Sequence, residues 1–270
     1  MEKNEISHKR IIVRGAGDIA TGTIHRLRQC GFEVVALEVE KPTVIRRTVA
    51  FAPGILTGSA EVEGVTATRC EDIPTIEAAL SRGEVALCVD PLGQLIPQLK
   101  PLAVVDAILA KRNLGTTRGM APIVVGLGPG FTAGEDVDAV IETNRGHHLG
   151  RVIYEGPAST NTGIPGNIAG FTHERVIHAP AAGTVVLAHD IRDMVVAGET
   201  IATIDGVPVQ AKLSGVLRGM IAQGTQVPKG MKIADVDPRG DGDYCFTISD
   251  KARNISGGVL EAILHLEANG

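Results

Sequence analysis

Short apolar runs broken by glycine and polar residues organise the first half of this 270-residue chain. Lys9 to Arg14 (KRIIVR) reads as a strand that stops at Gly15. Ile19, Ile24 and Leu27 then recur at helical spacing, and Gly31 is placed to close that helix after Cys30. Phe32–Val39 (FEVVALEV), Val85–Val89 (VALCV) and Ile123–Leu127 (IVVGL) are nearly continuous apolar runs, the pattern of strands buried on both faces. Leu102–Lys111 (LAVVDAILAK) has the length and periodicity of a helix. This alternation predicts a doubly wound, Rossmann-like parallel-sheet α/β domain over residues 1–155.

Residues 156–175 are rich in Gly, Pro, Ser, Thr and Asn, cannot bury a face, and read as a linker or a loop over a neighbouring site. Over 176–240 the pattern changes to a gapless 32-residue repeat. Ala179-Pro-Ala-Ala-Gly183-Thr-Val185 returns as Ala211-Lys-Leu-Ser-Gly215-Val-Leu217, and Val195-x-x-Gly198-x-x-Ile201-Ala202 returns as Val227-x-x-Gly230-x-x-Ile233-Ala234. Each half reads as strand, turn, strand, which resembles the small all-β barrel-sandwich domains of the biotinyl/lipoyl type. Their carriers place a modified lysine at the hairpin tip. Here the tip is Asp205-Gly206 and Lys212 lies elsewhere, so covalent carriage is not expected. In residues 241–270, Val259–Leu266 predicts a short amphipathic helix. The expected fold class is therefore α/β, a Rossmann-like domain followed by a barrel-sandwich domain.

Composition narrows the function classes. A net charge of −5 argues against non-specific nucleic-acid binding. Thirty-three glycines beside two Tyr, five Phe and no Trp favour tight turns and close backbone approaches over an aromatic pocket. Cys30, Cys70, Cys88 and Cys245 are scattered without metal-ligand spacing, which suits free thiols in a reducing compartment. The charged start MEKNEISHKR has no signal-peptide core and no apolar run reaches membrane-span length. A cytoplasmic protein with no membrane partner is expected.

Candidate chemistry lies in two glycine loops. In Arg14-Gly15-Ala16-Gly17-Asp18-Ile19-Ala20-Thr21-Gly22, Gly15 permits a turn, Gly17 a close approach to an anion, and Ala20 tight helix packing, so free amides at the helix start would face a pyrophosphate. Glu38 or Glu40, about 20 residues on, stands where a ribose hydroxyl would be read. Asp18 would repel a phosphate or cap the helix; Arg46 and Arg47 would bind phosphate or face solvent. The second loop, Gly126-Leu-Gly128-Pro-Gly130-Phe-Thr-Ala-Gly134, also follows a strand. Asp90, Asp106, Lys111, Arg112, Asn113, Glu142, Thr143, Arg145, His147 and His148 would form a polar wall, although surface pairing or helix capping explains any one of them equally well. No Ser-His-Asp, HExxH, GKS/T or DxD arrangement names a reaction.

RGAGDIATG (14–22), IRRTVAF (45–51), VDAILAKRN (105–113), GLGPGFTAGEDVDAVIETNRGHHLGR (126–151), NTGIPG (161–166) and SGVLRGMI…KIADVDPR (214–239) together resemble the YqeB family, accessory proteins associated with selenium-dependent molybdenum hydroxylases. The resemblance implies a role in maturing such a client hydroxylase. The site would then hold a phosphate-bearing small molecule, either a molybdopterin-type cofactor or a nucleotide. The cysteine-bearing N-terminal region of related maturation factors has no counterpart, so no sulfur chemistry is carried over. Two other classes stay open: an NAD(P)-dependent oxidoreductase on the same loop, with Lys111 or His147 as proton donor, and a ligandless assembly scaffold. Self-association into a homo-oligomer is compatible with each.

Overall fold

Strand β1 (Arg10–Arg14) carries three adjacent apolar residues, Ile11, Ile12 and Val13, all fully buried, and so takes a central place in a sheet covered on both faces. The structure, a computed structural model, describes residues 10–164 and 166–270. It divides into two compact units. The first holds the described residues up to Pro42, Ala50–Asn161 and Ile248–Gly270. Its strands are β1, β2 (Glu33–Glu38), β3 (Ser59–Val62), β4 (Val65–Cys70), β5 (Val85–Val89), β6 (Ala103–Asp106), β7 (Ile123–Leu127), β8 (Thr132–Ala133), β9 (Ala139–Ile141), β10 (Val152–Ile153) and β11 (Gly156–Pro157). Nine of them form one sheet in the order β10-β9-β7-β6-β1-β2-β5-β4-β3. The seven inner strands run parallel, while β3 and β10 pair antiparallel at the edges.

Helix α1 (Asp18–Gln29) follows β1 and buries Ala20, Ile24 and Leu27, each 1% exposed or less. Burial of Ile24 and Leu27 stabilises by about 1.5–3 kcal/mol each. The helix ends at Cys30, with Gly31 in the left-handed region at φ +91. Helices α2 (Gly54–Thr57), α3 (Ile73–Ser81) and α4 (Ile96–Leu99) complete the N-terminal part. The last helix, α5 (Asp250–Asn269), is capped by Ser249, whose Oγ accepts the Ala252 amide at 3.2 Å. Ala252, Ile255, Val259, Ala262 and Ile263 make its buried stripe. Gly22 faces Ala252, and Arg26 bonds the Ser256 hydroxyl at 2.8 Å, so α1 and α5 run side by side in the same direction.

The second unit holds Thr43–Val49 and Thr162–Thr247. Its strands are β12 (Val176–His178), β13 (Gly183–Leu187), β14 (Met194–Val195), β15 (Thr200–Ile204), β16 (Val207–Gln210), β17 (Gly215–Met220), β18 (Gln226–Val227) and β19 (Lys232–Asp237). The 32-residue repeat reappears as β13, β14, β15 against β17, β18, β19. They form two four-stranded antiparallel sheets, β12-β19-β17-β14 and β16-β15-β13-β18. Each short middle strand pairs with the first strand of the other repeat, β14 with β17 and β18 with β13.

The expected architecture, a Rossmann-like parallel sheet followed by a biotinyl/lipoyl-like barrel-sandwich domain, is corrected. The large sheet is mixed, and the helices that would alternate with its later strands are absent. Leu102–Lys111, expected to be helical, is instead β6 followed by a loop in which Leu109 and Lys111 adopt positive φ. No helix joins β7 to β9; α5 from the far end of the chain packs on β7, β9 and β10 instead. Beyond it stand two antiparallel sheets rather than a free-standing carrier-type domain, since Thr43–Val49 folds with them: the Met220 amide bonds the Ile45 carbonyl at 2.7 Å. The terminal helix is also longer than expected, because its first two turns (DKARNIS) are too polar to show an apolar period. The reading of the first nine residues lies outside the described residues.

Candidate functional site

Register places the carboxyl ends of the parallel strands level. Arg14 stands opposite Leu37 and Asp106, Glu38 opposite Val89, Asp106 opposite Gly126, and Leu127 opposite Ile141. At β1 the strand order reverses, since the chain proceeds through β2 to β5 on one side and returns to β6 on the other; ligands of open α/β sheets favour such crevices. Here the crevice is closed by the chain itself. Arg14 and Asp106, each 2% exposed, are 3.5 Å apart. The Arg14 guanidinium also donates to Thr116 Oγ1 and to the Pro91 carbonyl at 3.0 Å. Thr116 Oγ1 in turn donates to Asp106 at 2.5 Å.

The first glycine loop keeps only part of its expected freedom. Gly15 sits at φ +97, and a Cβ there would lie 3.0 Å from the Ala107 carbonyl oxygen. The Ala16 amide donates to Glu38 Oε2 at 2.9 Å while Glu38 Oε1 accepts the Val39 amide at 2.8 Å. Both oxygens of Glu38 therefore hold backbone rather than waiting for a ribose; Glu40 is exposed. Gly17, at φ −67 and ψ −179, is the N-cap of α1 and has no side chain with which to cap it. Asp18 lies in the first turn, where the helix dipole favours a negative charge. Ala20 and Gly22 are buried packing positions, and a Cβ on Gly22 would meet that of Ala252 at 2.7 Å.

The second glycine loop is spent on its own packing. A Cβ on Gly126 would meet the Phe131 ring at 2.6 Å, one on Gly128 would strike Thr143 Oγ1, and one on Gly130 would meet Arg112 backbone at 2.7 Å. Gly134, at φ +90 with open space around it, is a turn. Asp90 accepts the Gln94 and Leu95 amides, just ahead of α4, at 2.9 and 2.8 Å. Arg46 and Arg47 belong to the second unit. There Arg46 donates to the Tyr244 carbonyl at 2.8 Å, and Arg47 to the Met220 carbonyl at 2.7 Å and to Asp190. These guanidiniums hold carbonyls within that unit.

Sequence reasoning overlooked Lys251. It stands in the first turn of α5, beside Asp18, Glu142, Asp250 and Arg145. Burial pushes its ammonium below the ordinary lysine range, and the Arg145 guanidinium pushes it further. The three carboxylates pull the other way without restoring it. Two of those carboxylates are already engaged. Asp250 takes both oxygens to Arg145, at 2.7 and 2.9 Å. Glu142 accepts the Asn144 and Ser159 amides at 2.7 and 2.8 Å, and such bonds outweigh its own burial and hold it below the usual carboxylate range. The signal that could have found Lys251 is positional: a basic residue two places after the N-cap of a helix, where an acid is the rule.

Two grooves in the first unit lie elsewhere. One of about 420 Å³, lined by Arg28, Val65, Arg82 and Glu84, is at the amino ends of β4 and β5; another of about 260 Å³ runs along α1 and α5 past Gly22, Cys30 and Ile248. Neither carries a set of groups aimed at one point, so the carboxyl edge remains the candidate site. Among the described residues, no three His, Cys, Asp or Glu side chains converge as metal ligands, and no helix is long and apolar enough to cross a membrane. The four cysteines are free, and burial, with neighbouring Cys70, pushes the Cys88 thiol up to about 12.

No family model matches the sequence. The uncharacterized protein YqeB of Escherichia coli (strain K12) is 52% identical over 263 residues, covering 97% of this chain and 49% of that protein. The chain thus spans about half the length of the curated relative it matches. Solved structures give weaker likenesses. The product-bound ectoine utilization protein EutE (DoeB) from Ruegeria pomeroyi is 10% identical, with a TM-score of 0.28 and 84% of each chain covered. A succinylglutamatedesuccinylase/aspartoacylase from Rhodobacter sphaeroides is 15% identical, with a TM-score of 0.25, covering 77% of this chain and 59% of that one. At such scores neither bears on fold or function. An identity of 52% over 97% of the chain does carry weight: this chain belongs to the YqeB family, of whose E. coli member it matches about half.

Proposed function

We propose that the first unit binds a phosphate-bearing ligand over the start of α1, and that it does so as an accessory protein in the maturation of a selenium-dependent molybdenum hydroxylase. The ligand would be a molybdopterin-type cofactor or a nucleotide. One observation carries the binding reading: α1 alone among the helices of eight or more described residues lacks a side-chain cap. Helix α3 has Asp72 and Thr75 in a capping box, and α5 has Ser249. At α1 the N-cap is a glycine with no side chain to cap it, and an external anion would meet the first-turn amides and the dipole. Lys251 supplies a cation beside Asp18 and offsets its repulsion of a phosphate. The maturation role rests on the sequence phrases shared with the YqeB family, and the client hydroxylase is the partner it implies. The NAD(P) alternative has less support, because Glu38 is bound on both oxygens.

The test is calorimetric titration with pyrophosphate, ADP and NADP, on the native protein and on Gly17→Val. The extended backbone at Gly17 is a conformation that valine also adopts. Micromolar binding to the native protein, lost in a variant of unchanged melting temperature, is expected, together with lost hydroxylase maturation in cells. Equal binding by both proteins, or none by the native one, would overturn the reading.

A further inference from the structure

We propose that the second unit pairs with a second copy of this chain through the outer face of the sheet β12-β19-β17-β14, around Arg192, Met194, Asp243 and Phe246. The inference concerns a different unit from the phosphate reading and does not depend on it. Strand β14 is the edge strand of that sheet. Its Val195 is buried in the unit's core, whereas Met194 and Val196, which point to the other side, are each 62% exposed. The chain returns to that side after β19: a Cβ on Gly240 would lie 3.6 Å from Met194 Cε. The single turn Gly242–Cys245 and the residue after it then present Tyr244 and Phe246, both exposed. Two guanidiniums lie over these rings, Arg239 at 4.3 Å from the Tyr244 centroid and Arg192 at 5.8 Å from that of Phe246. A methionine, two aromatic rings and two stacked arginines on one surface are the residue types that protein interfaces concentrate.

Charge selects the occupant. Arg239 is already held by both oxygens of Asp237, at 2.9 and 2.7 Å, and Asp241 accepts the Asp243 amide at 2.9 Å. Arg192 and Asp243 are not engaged in this way. Arg192 Cγ and Nε lie 3.7 Å from the Cβ position of Gly242, one residue from Asp243. Yet among the described residues the Arg192 guanidinium pairs with no carboxylate, and the Asp243 carboxylate accepts no hydrogen bond. Arg192 also sits at φ +87, a left-handed backbone that few non-glycine residues adopt and that clusters at functional positions. An acidic partner would satisfy Arg192 and be repelled by Asp243; a basic partner would do the reverse. A second copy related by a two-fold axis satisfies both, Arg192 of each copy meeting Asp243 of the other, with Met194 and Phe246 excluding water beside them.

Sedimentation equilibrium of the whole chain, with native mass spectrometry of mixtures, tests this. The native protein should dimerise with a Kd on the order of 10 μM. Met194→Glu, Arg192→Asp and Asp243→Arg should each weaken the dimer by about tenfold or more, the last two by bringing like charges together. Aspartate is among the residues that tolerate the backbone at position 192. Mixing the Arg192→Asp and Asp243→Arg chains should restore a one-to-one dimer to within about threefold of native affinity, because opposite charges then meet at both contacts. A chain carrying both exchanges should dimerise equally well. Recovery on mixing two impaired chains is not what a folding defect gives. A native chain that stays monomeric at about 100 μM would overturn the proposal and leave the face to a different protein. So would a dimer that the three single variants leave intact, or one that mixing does not restore. Should a single variant fail to fold, the doubly exchanged chain still decides it.

Discussion

Replacing Gly15 by alanine tests the claim that the crevice beside β1 is closed by its own backbone. At φ +97 an L-residue is strained by about 1–2 kcal/mol before any contact is considered. The new methyl would then lie 3.0 Å from the Ala107 oxygen, 3.1 Å from the Ala107 carbon and 3.2 Å from the Ile108 Cα. All three are backbone atoms, so no rotamer change relieves them. Overpacking of that kind costs about 1–3 kcal/mol. Together roughly 2–5 kcal/mol is expected, or a melting temperature lower by about 4–20 °C at roughly 2–4 °C per kcal/mol for a chain of this size. The chain has no Trp, so scanning calorimetry or far-UV circular dichroism is the appropriate assay. The paired control is Gly17→Val, whose backbone already lies in a region open to any residue. If Gly15→Ala melts within about 2 °C of the native protein, the loop over Gly15 is not where the structure puts it.

Asp106→Ala should leave the Arg14 guanidinium buried with only Thr116 and the Pro91 carbonyl, a loss of about 3–5 kcal/mol in chemical denaturation. Arg14→Met with Asp106→Leu should lose less than Asp106→Ala alone, because no charge is then stranded. Acid should destabilise in two stages. Burial, then Lys212, Lys232 and His173, depress His178, so its contribution is complete above its unfolded value near 6.5 and declines as pH falls through the lower folded one. Glu63, Glu142 and Asp237 are each held below the ordinary range by bonds that outweigh their burial. Their contribution is complete above about pH 4.3 and disappears as pH falls through the still lower folded values. A melting temperature that rises between pH 5 and pH 3 would contradict these assignments.

Much of the sheet was legible because continuous apolar strands leave a strong signal. Val85–Val89 and Ile123–Leu127 appear as β5 and β7 without adjustment, and the helix closed at Gly31 is α1. Leu102–Lys111 misled because an apolar run of that length is shared by buried strands and helices; Val104-Val105, β-branched and adjacent, was the cue for a strand. The repeat located β13–β15 and β17–β19, but periodicity says nothing of which strand pairs across repeats. At the site, glycine spacing was visible while its purpose was not. Gly126 and Gly130 have the composition of a ligand loop, and their missing side chains also admit Phe131 and the backbone of Arg112. Lys251 stayed hidden because its neighbours Asp18 and Glu142 lie more than a hundred positions away.

Carboxylates hold backbone donors at four strand ends along the sheet's carboxyl edge. At the end of β2, Glu38 accepts the Ala16 and Val39 amides; after β5, Asp90 accepts those of Gln94 and Leu95. At the end of β6, Asp106 accepts the Ile108 amide and the Thr116 hydroxyl, and after β9, Glu142 accepts the Asn144 and Ser159 amides. Each of these acids is an internal anion that satisfies backbone or hydroxyl donors at the strand ends. A phosphate arriving at any of those loops would have to displace a carboxylate already in place, which concentration alone does not favour. After β1 the chain places Gly15-Ala16-Gly17, whose Ala16 amide is held by Glu38, and α1 begins without a side-chain cap. An anion arriving there would meet a helix start that, alone among helices of eight or more described residues, has no side-chain cap.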